Sequence, residues 1–397
     1  MVNKKKDRNN TKFDIVVVGA GPAGIAFACG FANTKLKIAI IDKLPKKIIA
    51  NPKIDGREIA LTHSSVKVLK KLDVWRHISN KTISLIKEAR VLDGDSRYFL
   101  NFDHEEIQRE CLGYLIPNHI IKKSLYKRLK TISNISLISK VECLSVNIKN
   151  QYASIALSNG KKIKSSLVVA ADSRFSKIRS KMGISVFSKN FNKNMIVCRM
   201  QHEKPHKNIA YEFFRYSQTQ ATLPYINNQS GIVTTANKNL TDNLMKMNKK
   251  EFNKEMENSF GSFFGKMKLV GKRYYYPMIT TYTKKFISHR FALLGDAAVG
   301  MHPVTAHGFN LGLKGMQILN EIIKDALKNK TDIGSLDVLD NYQSRLHREA
   351  APVYLATNSI VNLYTSNIFP AKLTRQFALR FVNTIKPIKQ TFLNILK

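Results

Sequence analysis

Six residues, Gly19-Ala20-Gly21-Pro22-Ala23-Gly24, restrict this chain more than any other feature. They follow a β-branched run, Ile15–Val18, and open a stretch rich in small residues that suits a helix over 22–33. A second apolar run, 37–41, comes next and ends at Asp42. Strand, glycine turn, helix, strand is the opening of a parallel, doubly wound sheet. Gly19 permits the tight turn, Gly21 lets the backbone approach a pyrophosphate, and Gly24 lets helix and strand pack closely. The helix start, with Pro22 and Ala23, offers free N–H groups and partial positive charge to a phosphate. A carboxylate at Asp42, flanked by Lys43, suits an adenosine ribose. These residues predict a site for the ADP half of a dinucleotide, with FAD and NAD equally open.

Two further segments narrow the choice. Phe291–Leu294 reads as a buried strand ending in Gly295-Asp296, followed by His302-Pro303 and a loop, 305–310, that enters a helix at Asn310. A carboxylate at a strand's C-terminal end stands in the crevice where α/β sheets hold ligands. There Asp296 can accept hydrogen bonds from a polyol such as ribityl. The helix behind it, entered through Gly308, Phe309 and Asn310, aims its N–H groups at the same place and would favour negative charge on a reduced isoalloxazine. That makes FAD the expected cofactor. A third buried strand, 167–170, ends near Asp172, with Arg179 following. Between these landmarks, residues 194–235 alternate apolar and polar, the pattern of an antiparallel sheet inserted into the α/β body. Tyr211 and Tyr225 on that sheet are the candidates for lining a substrate pocket. Long helices are expected over 310–328 and 336–364.

Composition limits the remaining classes. The formal net charge is +37. Lysine is spread from end to end, as in a chain from an AT-rich genome, and is not gathered in a stripe around stacking aromatics. A nucleic-acid module is therefore not expected. Four cysteines at irregular spacing, with no CxxC pair, argue against a disulfide framework or a zinc site. The uncharged stretch 15–32 is broken by three glycines and Pro22, so neither a secretory signal nor a membrane anchor is expected. After Glu349 no acidic residue occurs, and residues 367–397 read as a basic amphipathic helix suited to an anionic membrane face.

Taken together, the glycine turn, the central strand–Asp segment and the late Gly-Asp resemble the class A flavoprotein monooxygenases of the para-hydroxybenzoate hydroxylase fold. More narrowly the chain resembles the ubiquinone-biosynthesis hydroxylases of the UbiH/UbiF type. The segment Asp55-Gly56-Arg57-Glu58-Ile59-Ala60-Leu61 is similar to their arginine segment, and Leu339, Tyr342 and Arg345, spaced LxxYxxR, resemble their LxxYxxxR helix with the arginine one residue closer. The wording of 55–63, 112–119 and 295–313 looks like the UbiM subgroup. Two departures stand out. The family's GADG has Ala170 and Ser173 in place of its glycines, and the family's AGQG reads Ala306-His307-Gly308 here after Thr305.

The resemblance implies an α/β, Rossmann-like FAD-binding domain of the GR2 type in three pieces, 12–82, 105–182 and 285–366. An inserted antiparallel-sheet substrate domain is expected from 83–104 and 183–284, with helices at the C-terminal end. It implies Arg57, Asn118, Asp172 and Arg179 as further FAD contacts, with His307 and Pro303 beside the reacting face of the flavin as catalytic candidates. It implies NAD(P)H or another reductant, dioxygen as cosubstrate, and a flavin hydroperoxide that oxygenates an electron-rich ring. The expected substrate is a polyprenylated phenol or quinol of ubiquinone biosynthesis. The expected partners are other proteins of that pathway and an anionic membrane surface. The expected place is the cytoplasm, peripheral to the inner face of a bacterial membrane. Three other readings stay open: a flavin reductase of the geranylgeranyl-reductase type, a hydroxylase of a soluble aromatic acid, and a basic binding protein with a relic Rossmann fold.

Overall fold

The glycine turn sits where the strand order of a parallel sheet reverses. In the computed structural model, which describes residues 10–94, 99–215, 218–302 and 307–365, the first strand, Asn10–Val18, pairs in parallel with Ile38–Asp42 on one side. On its other side it pairs in parallel with Lys162–Ala170. Beyond these lie Ile135–Ser139 at one edge and Phe291–Leu293 on the other side, both again parallel, with Ile287–Ser288 pairing antiparallel outside Phe291–Leu293. Ile15, Val16, Val17, Ile38, Ile40 and Val168 are fully buried. These strands are covered on both faces, which is why they read as unbroken β-branched runs.

Register aligns the C-terminal ends. Val18 stands opposite both Ile41 and Ala170, and Ala170 stands opposite Leu293. The residues that follow, Gly19, Asp42, Asp172 and Asp296, come from four distant stretches of chain. They fall on one rim at the topological switch point, the place where such sheets bind ligands.

Helix Pro22–Cys29 ends four residues earlier than the sequence pattern suggests. The Asn134 side-chain amide donates to the carbonyls of Phe31, Thr34 and Leu36, at 3.0, 3.3 and 2.8 Å, and so holds 31–36 in a turn. Helix His307–Lys328 packs on Pro22–Cys29, and Leu336–Thr365 packs on His307–Lys328. In the last helix Leu339 and Tyr342 are fully buried, and the Tyr342 hydroxyl donates to Leu293 O at 2.7 Å. Arg345 reaches Glu321 at 2.7 Å. Tyr342 of this LxxYxxR stretch thus braces the strand that leads to Gly295-Asp296.

A second sheet has eight strands, in the order Val299–Gly300, Met267–Thr283, Val186–His202, Gln229–Asn237, Gln218–Tyr225, Ile209–Arg215, Glu88–Asp93, Phe99–Asp103. All its pairs are antiparallel except Ile209–Arg215 with Glu88–Asp93, which joins the two separated stretches of sequence in parallel. One face is covered by helix Lys249–Phe264, an element not anticipated from the sequence. Asn248 and Glu251 form its capping box, and Phe252, Met256, Phe260 and Phe264 are buried at a spacing of four. A small sheet of Glu58–Leu61, Gly113–Pro117 and Ser84–Ile86 lies between the two large ones.

Candidate active site

The turn is built as its glycines require. Gly19 has φ +109°, and a Cβ there would stand 2.5 Å from Ala171 O. A Cβ on Gly24 would stand 2.2 Å from Gly19 O, because helix and first strand touch at this point. Gly21 differs: its nearest neighbour would be Ala171 O at 3.8 Å, so its outer side faces open space. The helix start at Gly21 has no side-chain cap, leaving its first N–H groups free for a ligand. Asp42 closes the turn from the next strand. Its two carboxylate oxygens accept from Ala20 N and Leu44 N, each at 2.7 Å, and Lys43 is exposed beside it.

Across the rim, Gly295 has φ +60° and packs against Ala23 of the glycine-turn helix. Asp296 is half exposed and pairs with Arg174 at 3.2 Å. Arg174 also donates to the carbonyl of Ile279 on the large sheet and to Met301 O at 3.5 Å, so it ties the rim to that sheet. Sequence reading passed over Arg174; its place two residues after Asp172 was the available signal. Asp172 Oδ1 is buried without a hydrogen-bond partner among the described residues. Arg179 is turned to protein instead: it donates to Ala297 O at 2.8 Å and to Arg174 O at 3.0 Å. It fixes the loop after Asp172 against the turn after Asp296. Of the two replaced glycines, Ala170 is fully buried within its strand and Ser173 is exposed.

The arginine segment closes the site from a third side. Arg57 pairs with Asp55 at 2.6 Å and lies over the Tyr276 ring at 5.5 Å. Asn118 donates to the same Asp55 oxygen at 2.7 Å, Lys122 approaches it at 3.6 Å, and the Tyr276 hydroxyl donates to Asp55 O at 2.6 Å. Burial works to raise the Asp55 carboxyl, but Arg57, Asn118 and Lys122 together hold it below the ordinary range. Asp55 is therefore the hub that aims Arg57 and Asn118. Arg57 also feels the charge of Asp296, which places the two on one cleft.

Other expected residues are placed as follows. The Asn310 amide donates to Ala60 O at 2.9 Å and its oxygen accepts from Thr62 N at 3.2 Å, clamping the helix start to the arginine strand. Phe309 packs on the main core, and Gly308 has room toward Met301. His307 opens its helix, while its side chain and the whole of Pro303 lie outside the described residues, as does the basic tail 367–397. His302 is buried against Phe191, and burial with Arg174, Lys193 and Lys189 nearby pulls it down to about 4. It is neutral at neutral pH. Tyr225 lies on the rim-facing side of the large sheet, with the Arg199 guanidinium 3.9 Å over its ring. Strand alternation turns Tyr211 to the opposite face of the large sheet, where it packs against Phe213 and Phe263.

The fold and rim define an α/β flavoprotein architecture with a large sheet set over the dinucleotide turn. The same architecture is found in p-nitrophenol 4-monooxygenase PnpA from Pseudomonas putida, with a TM-score of 0.78 at 13% identity over 96% of this chain and 97% of that one. The FAD-dependent monooxygenase PqsL from Pseudomonas aeruginosa gives 0.73 at 14% identity, covering 93% of this chain and 100% of the other. In sequence, the FAD binding domain family matches residues 12–356. Ubiquinone hydroxylase UbiM from Neisseria meningitidis is 38% identical over 95% of this chain and 83% of its own length. Ubiquinone hydroxylase UbiL from Rhodospirillum rubrum is 28% identical over 96% and 88%. The chain belongs to the FAD binding domain family, as a class A FAD-dependent monooxygenase of the ubiquinone-hydroxylase type.

Proposed function

We propose that this enzyme hydroxylates the ring of a polyprenylated phenol on the route to ubiquinone, with NAD(P)H as electron donor. The observation that carries the reading is the shared rim of Gly19, Asp42, Asp172 and Asp296 beneath a large sheet, in a chain 38% identical to a relative named ubiquinone hydroxylase.

FAD fits this rim. The open side of Gly21, the uncapped N–H groups behind it and the unpartnered Asp172 oxygen are what a pyrophosphate-bearing dinucleotide needs. Gly19 through Gly24 hold the pyrophosphate, Asp42 and Lys43 face the adenosine side, Asp296 takes the ribityl hydroxyls, and Arg57 and Asn118 lie along the flavin. Asp172 and Arg179 bound the same cleft, Arg179 by fixing its wall. Bound FAD supplies the activation of dioxygen. The chain orients the substrate ring against it and excludes water. The N-terminus of helix His307–Lys328, with Gly308, Phe309 and Asn310, would stabilise negative charge in the cleft, and His307 and Pro303 are assigned as the catalytic candidates.

Asp296→Asn is expected to weaken flavin binding about 10-fold, as loss of a charge-assisted hydrogen bond does. The melting temperature of the apoprotein should hardly move, because an exposed pair such as Asp296–Arg174 contributes only ~0–1 kcal/mol. Flavin fluorescence titration beside apoprotein melting checks both; an unchanged flavin affinity would remove Asp296 from the site. Deletion of the gene should cause an under-hydroxylated quinone precursor to accumulate, read by mass spectrometry of lipid extracts. An unchanged quinone pool would overturn the pathway. Product made without dioxygen would point to a flavin reductase.

A membrane role for residues 367–397 belongs to the same proposal. No helix among the described residues is long and apolar enough to cross a membrane. A basic surface strip would serve an enzyme whose substrate tail resides in lipid.

A further inference from the structure

The large sheet has two unlike faces. Phe213, Thr222 and Ile232 point toward helix Lys249–Phe264 and are 2%, 0% and 1% exposed. On the other face, register sets Tyr274, Val197, Val233, Ala221, Glu212 and Val91 side by side across six strands. One end of this row is tied to the arginine segment: the Tyr274 ring lies so close to Gly56 that a Cβ there would be 2.4 Å from it. The neighbouring row holds Arg199 and Gly231, with Glu58 seated against Gly231. This face therefore looks onto the Arg57 side of the flavin cleft.

Val233, Ala221, Glu212 and Val91 belong to interior strands, yet each keeps part of its surface open. Residual exposure on the inner face of a central strand marks a concavity. Around Glu212 the row itself is apolar, with Val233, Ala221 and Val91, and the adjoining row on the same face holds Thr235, Thr219, Phe214 and Asp93. The Glu212 carboxyl makes no hydrogen bond or ion pair with any described residue, whereas one row away Glu58 is paired with Arg199 through one of its oxygens. A carboxyl without a partner on an inner sheet face is unfavourable for folding, since neither the acid nor its charge is compensated there. Burial alone pushes it up to about 8, so the acid holds its proton at neutral pH and its carboxylate, formed at mildly alkaline pH, is a stronger base than an ordinary one.

We propose that Glu212 recognises the hydroxyl of the substrate ring and accepts its proton. The step balances within the pair. The phenol O–H bond breaks, an O–H bond forms on the Glu212 carboxylate, and the electron pair left on oxygen enriches the ring carbons ortho and para to it. The flat ring lies on Val233 and Ala221, with its hydroxyl at Glu212 and its far edge toward Arg57. This inference rests on the phenol-hydroxylase reading above and adds the residue that selects a phenol. Tyr211, the residue before it, carried the sequence-level expectation for the pocket; a shift of one residue in a strand exchanges the two faces.

The test uses the holoenzyme and two probes, 2-geranylphenol and its O-methyl ether, with binding read from perturbation of the bound flavin's absorbance. At pH 9, where the Glu212 carboxyl is ionised, the wild type should prefer the phenol by about 30-fold, the worth of a hydrogen bond to a charged group. Glu212→Leu should bind flavin and the ether normally but show no preference for the phenol. Glu212→Gln, nearly isosteric, should retain part of the preference and lose turnover of the phenol, which separates recognition from proton acceptance; Glu212→Asp should restore part of both. A full phenol preference in Glu212→Leu, or full turnover in Glu212→Gln, overturns the inference and leaves the hydroxylase reading standing. A wild type that neither binds nor oxygenates the phenol overturns both.

Discussion

Gly21→Ala is expected to give a folded protein that has lost its flavin, whereas Gly24→Ala loses both flavin and stability. The two substitutions add the same methyl group three and six residues after the same strand, but into different surroundings. At Gly21 the nearest protein atom to a new Cβ is Ala171 O at 3.8 Å, ordinary contact, so the apoprotein has no reason to shift. What the methyl group meets is the space through which a pyrophosphate approaches the backbone. At Gly24 a Cβ falls 2.2 Å from Gly19 O and 3.2 Å from Val17 Cγ1, so the helix must move away from the first strand. Both changes should weaken FAD binding by at least about 100-fold, through loss of charge-assisted hydrogen bonds of ~1.5–3 kcal/mol each. Only Gly24→Ala should also lower the melting temperature of the apoprotein. Flavin content per protein after gel filtration and apoprotein melting curves separate the two. If Gly21→Ala kept a full complement of flavin, the pyrophosphate would not lie at this turn.

The second large effect concerns Glu58. Its side chain is 3% exposed; Oε1 accepts from Arg199 Nε at 3.0 Å and Nη2 at 2.7 Å, and Oε2 is buried with no partner among the described residues. Burial outweighs the attraction of Arg199 and pushes the carboxyl up to about 7. Arg199→Leu would leave that carboxyl in the gap between the arginine strand and the large sheet with no counter-charge. Breaking one side of such a pair costs about 3–5 kcal/mol. In a chain of this size that is a fall of roughly 5 °C in melting temperature.

The same group gives a pH signature with a definite sign. A carboxyl whose native pKa is raised holds its proton in the folded state while the unfolded chain releases it. Its contribution is full below the ordinary carboxyl value of 4.5 and is lost as pH rises toward about 7. Glu58→Gln removes this dependence. The difference in melting temperature between variant and wild type should therefore grow in favour of the variant from pH 5 to pH 8. A difference that is flat over that window would mean that Glu58 is ionised throughout.

Much of the flavin half was legible because its signals are local. A glycine that must adopt φ +109°, a helix start without a cap, and β-branched strands covered on both faces each leave their mark within a few residues of chain. The polar network around Asp55 was half legible. Arg57 and Asn118 could be picked from their motifs, but the carboxylate that aims both, and Arg174 spanning Asp296 and Ile279, emerge only when distant segments meet.

The substrate side was less legible, since alternation shows that a strand has two faces and not which of them meets the cofactor. Tyr211 and Glu212 are adjacent in sequence and equally eligible by pattern. The helix Lys249–Phe264 decides between them, by covering Tyr211 with Phe263 and leaving Glu212 on the open side. By itself, then, the sequence determined the sheet's switch point, the glycine turn and the carboxylates at the strand ends, because those depend on backbone sterics and short-range spacing. Only the tertiary structure decided which face of the large sheet confronts the flavin rim, because that depends on how an eight-stranded sheet docks on the arginine strand through Glu58, Arg199 and Gly231.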